Sequence, residues 1–189
     1  SWLVYRLTAS PMMLGVVAFV NQIPSFVLAP IAGVYADRWN RRTMLLWTQT
    51  LLMIESLMLV VLWLSGVVHV WQLIVLELFA GLVKAFDAPA RQSFVVDMIE
   101  QKEDLGNAIA LNSAIFNGSR LIGPSLAGVI IATAGEGICF LINGLSFLAI
   151  ILALRAMTIA PRELAAQTTH VLQELKEGFA YIYHHVPIR

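Results

Sequence analysis

The chain has 189 residues, of which 59% are hydrophobic and 13% charged, about half the charged fraction of an ordinary soluble domain. Its 12 Lys and Arg balance its 12 Asp and Glu, so no basic surplus favours nucleic acid as a partner. The single cysteine, Cys139, excludes a disulfide framework, and the sequence shows no Cys or His spacing typical of a metal site. No cofactor is therefore expected.

Five apolar stretches meet or approach the ~20 residues that a helix needs to cross a bilayer. They cover residues 12–35, 44–64, 71–86, 108–134 and 137–157. Residues 1–7 have the character of the end of an earlier, truncated helix. Polar or turn-forming connections are predicted at 8–11, 37–42, 65–70, 87–106 and 135–136, which makes neighbouring helices antiparallel. The pattern predicts an all-α, polytopic membrane bundle of six helices over residues 1–157. Buried helices of a soluble protein would lack enough polar sequence to cover them.

Basic residues are distributed unequally between the two sides of the predicted membrane. One side carries Arg38, Arg41, Arg42, Arg91, Lys102, Arg155 and Arg162. The other side carries Arg6. Loops that stay in the cytoplasm are enriched in Lys and Arg, so the basic side is predicted to be cytoplasmic. Residues 158–189 then form a cytoplasmic linker, whose apolar residues repeat at helical spacing between 171 and 183. This repeat favours an amphipathic helix on the membrane or the protein, and a soluble linker helix fits equally well.

The connection after the second predicted helix carries a specific pattern. Gly33 is followed by an apolar pair, a small residue, Asp37 and Arg38, two spacers, and the basic pair Arg41 and Arg42. This resembles the signature loop of the major facilitator superfamily. Simple positive-inside anchoring is the alternative, but it does not explain the fixed places of Gly33 and Asp37. The resemblance implies a gating loop whose acid meets a helix of the other half of the transporter when the cytoplasmic gate is closed.

The fifth predicted helix carries small residues at regular places. Gly118, Gly123, Pro124 and Gly128 are similar to the glycine-proline motif of the exporter and antiporter branches, with Ala127 replacing the first glycine of the final pair. Small residues let helix backbones approach closely in lipid, and Pro124 removes a backbone donor and bends the helix. A generic kinked, closely packed helix is the alternative.

Segments 85–95, 107–113 and 139–143 resemble a bacterial exporter branch that includes enterobactin exporters and macrolide efflux proteins. This resemblance covers nearly the whole chain. The family has twelve helices in two six-helix halves, which implies that the chain is most of the N-terminal half and lacks the C-terminal half as its partner. The family resemblance also implies secondary active transport of a small amphipathic molecule, such as a drug or siderophore, across the cytoplasmic membrane by proton antiport with alternating access. The outward direction of this transport rests on the similarity of Gly118 to Gly128 to the exporter motif alone.

Three other functions are alternatives to the export of a drug or siderophore. An importer or facilitator of the same fold differs only in direction, and fold does not determine substrate. A non-transporting membrane fragment is a further alternative. An intramembrane enzyme would need a constellation of His, Asp, Ser or Cys near one membrane face, and the sequence suggests none, so no catalytic residue is expected.

Charged groups inside apolar stretches are costly in a bilayer and therefore indicate function. Ser113, Asn117 and Arg120 follow i, i+4, i+7 spacing, which places them on one helical face. We interpret this face as a polar stripe along a water-filled substrate cavity. A structural ion pair is the alternative for Arg120.

Two glutamates and one asparagine complete the candidate residues. Glu77 is the favoured proton-coupling residue, because the family's fourth helix lines the cavity. Glu55 is the second candidate for reversible protonation, but it lies on the third helix, which the family places at the periphery, and its role is otherwise unexplained unless it has a hidden partner. Asn21 could bind substrate or join two helices. Lys84 and Asp87, three residues apart, could pair locally.

Overall fold

The computed structural model describes residues 2–98 and 102–157, apart from the side chains of Asp37 and Lys102. Within these residues the chain is helical and has no strand. The predicted linker and amphipathic helix of residues 158–189 lie outside the described residues, as does the side chain at the centre of the predicted gating loop.

The helices follow one another with short connections. They are α1 (Trp2–Thr8), α2 (Pro11–Arg38), α3 (Arg41–Ser65), α4 (Val70–Asp97), α5 (Leu105–Ala134) and α6 (Glu136–Ala156), with a 3-10 turn at Lys102–Asp104. In the described part of the chain, α2, α3, α5 and α6 are long and apolar enough to cross a membrane. α4, with 28 residues, is also long enough to cross a membrane. It is less apolar than these four helices because it contains charged residues such as Glu77 and Lys84. The predicted all-α, polytopic membrane fold is confirmed.

Local chemistry sets the helix ends. Pro11 begins α2, where its missing N–H is not needed. The side chain of Asn40 accepts a hydrogen bond from the Thr43 backbone N–H at 3.2 Å and caps α3. Gly66, with φ of 69°, ends α3 in the left-handed conformation that favours glycine. These ends lie within a few residues of the predicted ones.

Two of the predicted connections are wrong in extent. Residues 87–97 continue α4 through Pro89 and do not form a connection, so the shortest predicted span becomes a 28-residue helix. Similarly, α2 extends through Asp37 to Arg38, which leaves only residues 39–40 between α2 and α3. In α4, two of the acids that suggested a loop bind groups of α3: Asp87 binds Thr48 and Gln49, and Asp97 binds Arg41.

Buried apolar side chains form three layers along the bundle. α2 packs mainly on α4, and α3 packs on both α4 and α6. The layer near the arginine-rich end contains Ala36, Met44, Leu45, Ala90, Phe94 and Leu154. The middle layer contains Leu52, Ala80 and Val83, and the layer at the opposite end contains Leu3, Val4, Val17 and Leu73. In contrast, α5 buries no residue and contacts mainly α6.

Candidate functional site

Two of the predicted site residues meet at the contact between α2 and α4. The side-chain amide of Asn21 donates hydrogen bonds to the Glu77 carboxylate at 2.7 Å and to the Glu77 backbone carbonyl at 3.0 Å. Both side chains are partly buried. A hydrogen bond to a carboxylate is stronger than one between neutral groups, so this contact ties the ionisable group of α4 to α2.

The helix backbones are unusually close one turn further along. A Cβ atom at Gly81 would collide with the backbone carbonyl oxygen of Asn21, so only glycine fits there. The hydroxyl of Ser25 lies 3.5 Å from the Gly81 carbonyl. Sequence reasoning did not identify Gly81. A glycine four residues after Glu77, on the same helical face, could have indicated a close approach of another helix at this place.

The polar stripe of α5 is not brought to the Asn21–Glu77 contact. Ser113, Asn117 and Arg120 are exposed, as the shared face predicts, but α5 lies against α6. The Asn117 amide donates to the Ser113 carbonyl at 2.8 Å, and the Arg120 guanidinium lies 5.7 Å from the centre of the Phe116 ring. No carboxylate among the described residues forms an ion pair with Arg120.

The glycine-proline motif also faces open space. Beyond the backbone of the surrounding helical turns, no atom of the described residues lies within 4 Å of a Cβ built at Gly118, Gly123 or Gly128. Pro124 is accommodated inside the continuous helix α5. The close helix packing that these small residues allow is therefore not made within the described part of this chain.

The arginines of the predicted gating loop join the ends of three helices. Arg41 forms an ion pair with Asp97 at 2.7 Å and donates to the Ser93 carbonyl at 3.1 Å, both near the end of α4. Arg42 donates to the last carbonyls of α6, those of Leu154 at 2.8 Å and Arg155 at 2.9 Å. A cation at a helix C-terminus is favoured by the helix dipole.

Gly33 and Arg38 of the predicted loop lie in the last turns of α2. A Cβ at Gly33 would meet no atom within 4 Å. Arg38 ends the helix next to Asp37, whose side chain lies outside the described residues. The structure therefore shows the basic pair Arg41 and Arg42 in contact with α4 and α6, while the contact predicted for Asp37 stays a prediction.

A buried carboxylate that sequence reasoning placed in a loop proves to be a centre of hydrogen bonding. Asp87 is 6% exposed and accepts from the Thr48 hydroxyl and the Gln49 amide, each at 2.7 Å. Arg91, one turn further along α4, donates to its second oxygen at 2.8 Å. Lys84 is exposed, and the pairing suggested between Lys84 and Asp87 is replaced by the i, i+4 pair with Arg91.

At the opposite end, Arg6 of α1 pairs with Glu136 at the start of α6. Its guanidinium lies 2.7 Å and 2.9 Å from the two carboxylate oxygens. Glu136 is buried, and an acid in the first turn of a helix is favoured by the helix dipole. This pair joins the first and last described helices of the bundle.

No group of three or more His, Cys, Asp or Glu among the described residues could hold a metal ion. The described residues thus form a helical membrane bundle with an ionisable contact inside it and an arginine-rich end. Chemically, the contact offers one carboxyl group that an amide donor holds between two helices.

Comparisons with known proteins agree with this assignment. The whole chain, residues 1–189, matches the family described as transmembrane secretion effector. The chain is 26% identical over 186 residues to an uncharacterized MFS-type transporter, YfiS, of Bacillus subtilis, covering 94% of this chain and 42% of the relative. It is 27% identical over 156 residues to the staphyloferrin A transporter of Staphylococcus aureus, covering 82% of this chain and 39% of the relative.

A third relative is the multidrug efflux pump Tap of Mycolicibacterium fortuitum, 27% identical over 192 residues, covering 97% of this chain and 46% of the relative. The chain thus spans less than half the length of these curated relatives. No solved structure gives a significant match. Because the family match covers every residue and the described residues form an all-α membrane bundle, the chain belongs to the transmembrane secretion effector family of major facilitator transporters.

Proposed function

We propose that this chain is the N-terminal half of a secondary active transporter of the plasma membrane. The transporter exports a small amphipathic molecule, such as a drug or siderophore, in exchange for protons. Two relatives named for a siderophore and for multidrug efflux support this substrate class. The observation that carries the mechanism is the Asn21–Glu77 contact, because it places an ionisable group inside the bundle where a fixed charge would be costly.

The missing C-terminal half is proposed from two features. The matched relatives are more than twice as long as the region they share with this chain. α5, moreover, has no buried residue, and its glycines face open space. Small residues on a membrane helix allow a second helix to approach closely, so we propose that the second bundle packs against the exposed surface of α5. Ser113, Asn117 and Arg120 would then line the substrate cavity between the two bundles.

Alternating access requires contacts that form in one state and break in the other. The end of the bundle that carries Arg38, Arg41 and Arg42 is proposed to be cytoplasmic, and to be where such contacts open and close. Arg41 and Arg42 stabilise this end within the half-bundle by holding α4 and α6. The family resemblance implies that Asp37 contacts the second half. The half-bundle would thus move as one body while the gate changes.

The proposal is tested by proton-driven efflux in the whole protein that contains this chain. In inverted vesicles loaded with a pH gradient, a fluorescent amphipathic cation such as ethidium should be transported by the wild type. Glu77→Gln should abolish this coupling while membrane insertion is retained. Glu103→Gln, which changes an exposed glutamate on the 3-10 turn, is the matched control and should transport normally.

Two outcomes would contradict parts of the proposal. Unchanged proton-driven efflux by Glu77→Gln would remove this residue from the coupling mechanism. Cells that lack the protein and then fail to acquire a compound, instead of accumulating one, would indicate an importer of the same fold.

A further inference from the structure

An apolar groove follows the seam between α3 and α4 in the half of the bundle that lies away from the arginine-rich end. Its volume is about 500 Å³, which is within the range of cavities that bind small ligands. Its walls include Ile54, Met58 and Val61 of α3 and Trp71 and Val75 of α4. Only apolar atoms form the lining surface. The groove therefore suits a ligand that is apolar along its length.

The groove opens away from the neighbouring helices of the bundle. Val75 and Glu77 are two residues apart on α4, which places them on nearly opposite sides of the helix. Glu77 contacts α2, so Val75 points away from α2. Ser56 of α3 donates to a backbone carbonyl of α6, so Met58, two residues further, points away from α6. Met58 and Val75 are 52% and 54% exposed, and on a membrane-crossing helix such as α3 this exposed surface meets lipid.

The groove has the length of one leaflet of the bilayer. Ile54 lies near the middle of α3, and Leu62 lies close to its end. The helical rise between these two residues is roughly 12 Å, against about 15 Å for half of the hydrocarbon core. Trp71 lies in the first turn of α4 and is exposed, as is typical of aromatic residues at the level of the lipid headgroups. The groove thus extends from the headgroup level to the middle of the bilayer.

The mouth of the groove has no charged residue beside it. Residues 56–76, which include the connection between α3 and α4, contain no Lys, Arg, Asp or Glu. Basic side chains at a membrane surface attract anionic headgroups, and none is present in this segment. Inside a bilayer, lipid chains and apolar side chains are equally hydrophobic, so binding there depends on close packing. A concave wall formed by two helices provides more such contacts than a flat helical surface.

We propose that the groove between α3 and α4 binds one acyl chain of a phospholipid from the leaflet opposite the arginine-rich end. The methyl end of the chain lies near Ile54, and its ester end lies near Trp71, whose indole N–H is a donor for lipid oxygens. The chain, and not the headgroup, is the part that the protein recognises. This inference depends neither on the transported molecule nor on the direction of transport.

Photocrosslinking in native membranes that hold the whole protein tests the depth and orientation of the chain. The probe is phosphatidylcholine with a diazirine on one acyl chain, and peptide mass spectrometry locates the modified residues. A diazirine near the methyl end should label Ile54 and Met58, and one near the ester should label Trp71. Leu145 of α6 is exposed at a similar distance from its helix end, outside the groove, and should be labelled less than Met58. Equal labelling of Met58 and Leu145 would indicate ordinary contact with lipid and would overturn the proposal.

Filling the groove is the second part of the test. Val75→Trp places a large side chain on the wall and should cause the loss of the Met58 label. Leu145→Trp is the matched control, because Val75 and Leu145 are each 54% exposed, and it should keep the Met58 label. Val61→Trp fills the same groove from α3 and should act like Val75→Trp. An unchanged Met58 label in both filled variants would overturn the proposal.

Two further measurements distinguish the acyl chain from other occupants. A phosphatidylglycerol probe with the same chain should label Met58 as strongly as the phosphatidylcholine probe, because residues 56–76 carry no charge. A marked preference for the anionic probe would contradict recognition through the chain. In a Cys139→Ser background, a disulfide between two copies of Met58→Cys, together with an absence of lipid label, would show that a second copy fills the groove and would also overturn the proposal.

Discussion

The backbone of α4 at Gly81 lies against the backbone carbonyl oxygen of Asn21 on α2, so closely that no Cβ atom fits between them. This approach brings the Asn21 amide within hydrogen-bonding distance of Glu77, one turn away on α4. The smallest residue on one helix therefore positions the ionisable group of the candidate site.

Gly81→Ala should destabilise the protein and weaken the Asn21–Glu77 contact. The added methyl group must push the two helices apart, which costs about 1–3 kcal/mol. Gly15→Ala is the matched control, because a Cβ at Gly15 on α2 meets no atom within 4 Å and alanine is the better helix former. The thermal unfolding temperature in detergent should fall for the first variant and be kept or raised for the second. Equal temperatures would contradict the close approach.

Asp87→Ala should destabilise the contact between α3 and α4 much more than Arg91→Ala. Removing the carboxylate leaves the buried Gln49 amide without this acceptor, at about 1–3 kcal/mol, whereas the Thr48 hydroxyl still reaches the Leu45 carbonyl at 3.1 Å. Removing Arg91 loses a pair whose basic member is more than half exposed, worth about 0–1 kcal/mol. Denaturant unfolding of both variants measures the difference. A larger loss for Arg91→Ala would refute this ranking.

Arg42→Gln should loosen the last turn of α6. The guanidinium of Arg42 donates to two carbonyls near the end of α6 and complements the helix dipole. A cation at this place stabilises a helix by about 0.3–1 kcal/mol. Its loss should therefore lower the protection of the amides near residue 154 about two- to fivefold. Hydrogen exchange measures this. Arg42→Lys keeps the charge but lacks the planar guanidinium, so its amide protection should lie between that of the wild type and that of Arg42→Gln.

The orientation of the bundle is tested with single cysteines in a Cys139→Ser background. Asn40 and His69 are exposed and lie at the two ends of α3, respectively before its first residue and after its last. A cysteine at Asn40 should react with an impermeant thiol reagent only from the cytoplasmic side, and one at His69 only from outside. Labelling of Asn40→Cys from outside would reverse the proposed orientation.

Asp37→Asn should shift the proposed equilibrium between the two gate states. If Asp37 contacts the second half in one state only, losing ~1.4 kcal/mol of this contact changes the ratio of states about tenfold. In the whole protein, Ser113→Cys should become more reactive from the cytoplasmic side, while the amount of inserted protein stays the same. Asp37→Glu retains the charge and is the control. Unchanged reactivity would reduce this region to a topological anchor.

Hydropathy located the helices because lipid offers no hydrogen-bond partners, so a spanning segment must be a long apolar helix. The same reasoning misplaced the end of α4. Residues 87–97 contain a proline and several charges, which read locally as a connection. In the folded chain, Asp87 is satisfied by α3 and Asp97 by Arg41, so the helix continues. Those partners lie far away in the sequence, and no local pattern identifies them.

Apolar length, the arginine asymmetry and the Gly33 to Arg42 pattern are local properties of the chain. They are therefore sufficient to predict the membrane class, the family and the ionisable residues that need an explanation. Which of these residues meet is visible only in the folded bundle. The Asn21–Glu77 contact and the exposure of α5 depend on how helices cross. Helix crossings are set by packing between residues distant in sequence, such as the close approach at Gly81, which composition and spacing do not encode.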